Sequence, residues 1–429
     1  MNQSKQNKQF TRMKSYSRQY VGPIMYEYTA WVLREAQREG FQSLYFLARD
    51  AYLLYRIAMK ICEKENIPIK CKYFYCSRTA LRMPSYHLIG DEMYDLLLVY
   101  SLYATPCSVL ERGGFNEEER KKVYAEICIT DENRKLDSEA FEDFTAKLRK
   151  SAVYREIVLE KSKKSYRMAI GYFQQEGLFE EETVALVDSG WTGSMQRTIR
   201  QLLESKGYRG KVYGFYFGMY CLQKEERDGV YRCFYFDAKT GAGRKALFNN
   251  NLFECMLSTD YGMTIGYEER EGKIVPIQKE GLSEEMTQLV RCQTEGALSY
   301  AEERLQKDKH YSLTKSFRSV ERLLKHCVVY PTREEAELFG RFLFCDDITE
   351  AYRMPLADQA QIAQLKAYLI FPKIVRKLLH RKAANIPNLF WNYGTAAFLP
   401  IYKRWWYRMN LCFFEYRKYK NAENALKEI

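Results

Sequence analysis

With 429 residues, 46% of them hydrophobic and 28% charged, the chain is too long for one small core and too apolar to be disordered, so two or three packed units are expected. Its formal charge of +12 is concentrated. Between Lys373 and Lys420 eleven Lys or Arg face a single acid, Glu415, while residues 1–372 supply only +3. No run reaches the roughly 20 apolar residues of a membrane span, and the polar start "MNQSKQNKQF" lacks a signal-peptide core. The twelve cysteines include no C-x-x-C pair, which argues against zinc spacing and a disulfide framework. The cytoplasm is the expected compartment.

In chain order, "GPIMYEYTAWVLREAQREG" predicts a helix punctuated by Gly-Pro and Gly. "SLYFLA" predicts a short buried strand, "AYLLYRIAMKICEKE" a helix with aliphatics at spacings of three and four, and "KCKYFYCS" a second strand. From there to Thr183 the pattern is almost wholly helical, as in "DEMYDLLLVYSLY" and "YREIVLEKSKKSYRMAIGYFQQEG". This is too long for a loop and predicts a helical insertion capping the sheet. "TVALVD", "SMQRTIRQLLESKG" and "KVYGFYFG" then predict strand, helix and strand. Beyond Gly218, "VYRCFYFD" and "MTIGYEEREGKIVPI" predict added strands or a hairpin turning at Glu-Gly.

Alternating strands and helices imply a parallel sheet covered on both faces. The expected fold is α/β: a Rossmann-like, mostly parallel sheet with a large helical insertion and a mainly helical C-terminal region. The expected divisions are an α/β core over 20–78 and 183–278, a cap-like insertion over 79–182, a helical region over 279–372 and a basic, aromatic segment over 373–429.

Open α/β sheets bind ligands beyond the carboxyl ends of their strands, and three predicted strands end in chemically capable residues. "YFLARDAYLL" places Arg49 and Asp50 at such a turn. "YFYCSRTALR" places Ser77, Arg78 and Arg82. "VALVDSGWTGS" places Asp188, Ser189, Thr192 and Ser194. Gly190 and Gly193 permit positive φ and close backbone approach, and the turn feeds a helix N-terminus that favours an anion. Trp191 can stack on a ring or wedge the loop. Arg49, Arg78 and Arg82 suit a clamp on phosphate or carboxylate. Asp188 suits sugar hydroxyls, a metal or general-base work. Together they predict a phosphate-bearing ligand; each turn alone is equally explained by helix capping or an internal salt bridge. His87, His310, His326 and His380 are dispersed and read as surface or packing residues, and Cys76 as small apolar filler.

"LYFLARDAYLLYRIA", "YFYCSRTAL", "VALVDSGWTGSMQ" and "LFECMLSTDYGMTIGYE" resemble a group of bacterial haloacid-dehalogenase (HAD) superfamily hydrolases. That group occurs among polysaccharide-biosynthesis genes, sometimes joined to glycosyltransferases, and the resemblance covers about residues 20–270. It implies Asp50 as nucleophile, Ser77 as the hydroxyl of the second strand, and Mg²⁺ held by Asp50 and Asp188. In many such proteins a Phe-Asp-x-Phe-Asp-Thr motif sits in a further N-terminal domain; that motif is not found in this sequence. The second acid of the dehalogenase mechanism is replaced by Tyr52, whose phenol, with a pKa near ~10, does not substitute for it.

The stretch "VALVDSGWTGSMQRTIRQLLESKGYRGKVYGFYFG" is also similar in layout to the ribose-phosphate loop of phosphoribosyltransferases, with "YFLARDAYLL" at their pyrophosphate-loop position. One acid stands where that family usually has two. The functional expectation is an α/β hydrolase or transferase acting on a phosphorylated or nucleotide-linked sugar in bacterial cell-surface or capsule polysaccharide biosynthesis. The alternatives are a phosphoribosyltransferase-like enzyme and a non-catalytic partner of glycosyltransferases at the membrane surface.

The C-terminal segment interleaves aromatics with its cations. Lys403, Arg404, Trp405, Trp406 and Arg408 suit the headgroup level of an anionic membrane and predict a peripheral location at the inner face of the plasma membrane. A core helix with solvated cations competes with this. Nucleic-acid binding is set aside because RNA-binding signatures are absent and the aromatics come with Leu and Ile.

Overall fold

A computed structural model describes residues 3–101, 104–220, 229–307, 313–344, 354–369 and 389–427. The first helix, α1 (Gln3–Tyr16), passes through a π-helical turn, Ser17–Val21, into α2 (Gly22–Arg38). Gly22 and Pro23 therefore lie within a helical course that the sequence predicted to begin there. Pro23 stands where the π-helical turn, closed by Gly22 N–H donating to the Ser17 carbonyl, gives way to α2, an irregularity of the kind that accommodates proline in a helix. This N-terminal arm packs on the helix Glu284–Gln306. Ser17 Oγ donates to the Gln293 carbonyl at 2.5 Å, and Lys14 pairs with Glu295 at 2.9 Å.

The core is a five-stranded sheet. It comprises β1 (Ser43–Leu47), β2 (Lys70–Phe74), β3 (Thr183–Trp191), β4 (Lys211–Met219) and β5 (Val230–Phe236), in the order β2-β1-β3-β4-β5. Every neighbouring pair is parallel. β1 reads SLYFL and all five residues are buried, as an unbroken apolar run requires when both sheet faces are covered. Leu44 and Phe46 join a core with α2 and α3 (Tyr52–Glu65). Tyr45 and Leu47 face the opposite core, built with α4 (Arg78–Ile89), α9 (Ala152–Gln175) and α10 (Ser194–Glu204).

Between β2 and β3 the chain runs from α4 to α9 through α5 (Glu92–Leu97), α6 (Pro106–Arg112), α7 (Glu117–Ile127) and α8 (Ser138–Lys150). These helices share their own core, including Met93, Leu110, Phe144, Leu148 and Tyr154. The insertion is thus a satellite tied to the sheet through α4 and α9. β6 (Thr264–Arg270) and β7 (Lys273–Gln278) form an antiparallel hairpin. Its two-residue turn, Glu271 and Gly272, has both φ values positive (52° and 74°), as a type I′ turn demands. The remainder is largely helical.

The strand predicted at "VYRCFYFD" is β5, added to the main sheet as its fifth parallel member, and the hairpin predicted at Glu-Gly is β6–β7. One predicted strand differs from the structure in extent. β3 runs on from Asp188 to Trp191, because Gly190 and Trp191 still pair with Gly218 and Met219 of β4. That extension depends on glycine: Gly190 has φ +115°, and a Cβ there would lie 2.3 Å from the Gly218 oxygen. Gly190→Ala should therefore cost on the order of 3 kcal/mol. Gly207→Ala, at φ +83° with nothing within 4 Å, should cost about 1 kcal/mol from backbone strain alone. Urea unfolding of the two variants checks the difference; equal costs would show that the β3–β4 approach is not tight.

Candidate functional site

From β1 the chain turns to one side to form β2, then returns through the insertion to lay β3 on the other side of β1. The crevice beyond the ends of β1 and β3 is therefore the switch point, where doubly wound sheets take ligands. The turn after β1 is held by Ala48 N–H donating to the Phe74 carbonyl at 2.9 Å and Ala51 N–H to the Leu47 carbonyl at 3.0 Å. The Ala48–Arg49 peptide within it is cis. Asp50 stands beside the end of β3, where Ser189 Oγ donates to Asp50 Oδ2 at 2.5 Å. Tyr28 Oη lies 2.8 Å from the Asp188 carbonyl and 2.9 Å from that of Phe215, anchoring β3 from below.

A third carboxylate arrives from the helix Asn250–Met256. Glu254 Oε1 accepts from the Trp191 indole N–H at 2.7 Å. Burial raises the Asp50 pKa, opposed by the Ser189 hydrogen bond and by Arg49 and Arg78. Burial and then the Asp50 charge push Asp188 well above the usual carboxylate range. Burial and Asp50 push Glu254 up to about 8, against the Trp191 hydrogen bond, Arg78 and Arg49. Three like charges this close do not all ionise at neutral pH. As whole residues the three acids are partly buried, while their carboxyl groups lie deep enough for burial to be the leading cause of each shift.

Of the residues singled out from sequence, Arg49, Asp50, Arg78, Asp188 and Ser189 are brought together. Ser77 is not available to a ligand. Its Oγ caps α4, accepting from Ala80 N–H at 3.0 Å, and donates to the Thr264 carbonyl at 2.6 Å. Arg82 lies one turn along α4, where burial and Arg78 pull its pKa down. It lines a narrow pocket with Arg78, Thr79, Tyr86 and Arg112, the last contributed by α6 of the insertion.

Of the two roles expected for Trp191, the ring wedges the loop against the core. With φ +79°, its ring packs on Phe248, Phe253 and Phe236 at centroid distances of 5.3, 5.8 and 6.4 Å. Gly193 starts α10 with φ +68°, against Tyr231 and Met219, and Tyr231 Oη donates to its carbonyl at 3.2 Å. Thr192 is exposed, with Oγ1 3.4 Å from Ser194 Oγ. The Thr192–Gly193–Ser194 turn thus leans toward β5, separated from Asp188 by the extra strand residues.

Glu254 escaped the sequence reading. Its signal was an acid between Phe253 and Cys255 in a helix whose Leu252, Phe253, Cys255 and Met256 are buried, a place where a lone charge is rare. An aromatic wall was also missed. Tyr52 meets Tyr73 and Tyr261 edge-on at 5.4 and 5.8 Å, and Tyr75 meets Tyr73 at 5.0 Å.

Among the described residues no three His, Cys, Asp or Glu side chains are grouped so as to hold a metal by themselves. Of the histidines, His87 Nδ1 lies 2.8 Å from Ser162 Oγ and His326 Nε2 3.1 Å from Glu335. His310 and His380 lie outside the described residues. No family model matches the chain, and no curated protein matches it.

Proposed function

We propose that the protein is an enzyme acting on a phosphorylated or nucleotide-linked sugar, as a hydrolase or transferase at the phosphoryl group. One observation carries this: Asp50, Asp188 and Glu254 converge with Arg49 and Arg78 at the switch point of a doubly wound sheet. Guanidinium groups beside carboxylates suit a phosphate, whose charge Arg49 and Arg78 offset while Asp50 remains the oxygen nucleophile. Ser189 holds Asp50 Oδ2, leaving Oδ1 to face the phosphorus.

The leaving sugar oxygen needs a proton, and at the place of the second acid Tyr52 offers only a phenol, a far weaker acid than a carboxyl group; its hydroxyl accepts from Arg56 at 3.0 Å within the aromatic wall. Glu254, protonated up to about pH 8, is the general acid in its place. Tyr52, Tyr73, Tyr75 and Tyr261 offer ring faces to a sugar or base. The Arg82–Arg112 pocket offers positive charge to a second anionic group.

Mg²⁺ takes oxygen ligands and often only one or two carboxylates, completing its shell with water and phosphate. Asp50 and Asp188 fit that donor set, and the ion would supply further neutralisation of the phosphate. The resemblance of the strand-end motifs to proteins of polysaccharide-biosynthesis clusters is what points to cell-surface sugars as the substrate class.

The test is thermal-shift screening with inorganic phosphate, pyrophosphate, sugar phosphates and nucleotide sugars, with and without Mg²⁺. A ligand at 100-fold its Kd should stabilise the protein by about 2.7 kcal/mol. Arg49→Ala and Arg78→Ala should lose that protection. Equal protection of the wild type and both variants would place the anion elsewhere.

A further inference from the structure

The helix Ile401–Lys427 carries apolar residues on two opposite faces. Inward, Leu411 is fully buried, Phe414 packs on Tyr368 at 5.1 Å, and Tyr419 stacks on Tyr220 at 5.6 Å. Outward, Ile401, Trp405, Met409, Phe413 and Tyr416 recur at spacings of four and three, with Tyr402 and Trp406 beside them. All are exposed, Ile401 to 80%, Tyr402 to 75% and Trp405 to 69%. An apolar helix face is normally turned to a core, and a contiguous apolar stripe in water marks an interaction surface.

Charge identifies what covers it. The helix carries seven Lys or Arg against two acids, and Lys403, Arg417 and Lys418 are exposed along its flanks. Glu415 turns inward to Asn392 at 3.3 Å. Of the cations expected at a membrane, Arg404 and Arg408 serve the body instead. Arg404 Nε donates to the Leu399 carbonyl at 2.7 Å. Arg408 donates to the Pro331 carbonyl at 2.9 Å and lies over the Tyr330 ring. Residues 370–388 of the basic segment lie outside the described residues.

We propose that this outward face seats the protein on the headgroup region of an anionic phospholipid bilayer. Tryptophans and tyrosines at the interface level, flanked by lysine and arginine, are the residues that gain most there. Among the described residues no helix is long and apolar enough to cross a membrane, so the helix lies on the surface. Tyr220 also leans on Trp191, with centroids 6.1 Å apart, so the helix sits at the same end of the sheet as Glu254. A lipid-linked sugar as substrate would follow from that placement, and only this consequence rests on the proposed function.

The experiment is co-sedimentation of the full chain with vesicles of phosphatidylglycerol and phosphatidylcholine in equal parts, and with phosphatidylcholine alone, at low salt. Binding to the anionic vesicles only is expected. Trp405→Ser/Trp406→Ser should weaken it at least about tenfold with a melting curve little changed, since Trp405 is 69% and Trp406 46% exposed. Lys403→Glu/Arg417→Glu should weaken it by a similar factor. The proposal is overturned if the wild type ignores the anionic vesicles or if the tryptophan variant binds as well. It is also overturned if light scattering shows a wild-type dimer that the variant loses, because a second copy then covers the face. Asp50→Asn should bind vesicles normally, which separates failure here from failure of the proposed activity.

Discussion

Asp50→Asn should lower kcat/KM on any phosphate ester the protein consumes by at least about 100-fold and should raise the melting temperature. Both effects come from the same crowding. Asp50 is buried beside Asp188 and Glu254, and burial raises its pKa despite Arg49 and Arg78. Holding it ionised therefore costs folding stability, while its oxygen is the group that meets the phosphorus. Asparagine keeps an oxygen that accepts from Ser189 Oγ but has neither the charge nor the nucleophilicity. The expected stabilisation is on the order of 1 kcal/mol, the usual sign for a functional site built against stability. Turnover assays and thermal melts at pH 7.5 read both. Unchanged turnover removes Asp50 from the chemistry, and a lower melting temperature would mean that the arginines outweigh the other two carboxylates.

Glu254→Gln should change the pH dependence of stability as well as activity. Its folded pKa, about 8, is raised from 4.5, so between those values the folded state holds a proton that the unfolded state has lost. Wild-type stability is then fully present below about pH 4.5, falls as pH rises, and levels off above about 8. Glutamine stays neutral, so the variant should gain on the wild type across that window, by on the order of 2 kcal/mol at pH 8.5. Urea unfolding at pH 5, 7 and 8.5 measures the trend. If Glu254 is the proton donor, wild-type turnover should also fall as pH rises through about 8, and the variant should lack that limb. A gap between variant and wild type that is constant with pH would show that Glu254 is ionised throughout and not the acid.

Much of this was decided by local sequence. The apolar runs within Ser43–Leu47 and Lys211–Met219 become strands because a buried parallel strand needs a nearly unbroken apolar stretch and short polar turns at its ends, while the edge strand Lys70–Phe74 keeps its lysines at the surface side. Parallel strands all end on the same side, which puts Arg49 and Asp50 in the turn after β1 and Asp188 near the end of β3 at one edge. That Asp50 and Asp188 share that edge was expected from the strand pattern; that Glu254 joins them was not.

What only the tertiary structure decided depends on partners distant in sequence. Ser77 was consumed by the Thr264 carbonyl and Trp191 by Phe236, Phe248 and Phe253. Glu254 joined Asp50 across some two hundred residues of chain. β3 outran its apolar run because β4 kept pairing with it through Gly190 and Gly218. The aromatics of Ile401–Lys427 were ambiguous for the same reason. Periodicity shows that a face is apolar, whereas only the packing of Leu411, Phe414 and Tyr419 on the body leaves Trp405 and Trp406 in solvent. A residue's type sets what it can bind, and its long-range neighbours set whether it is still free to do so.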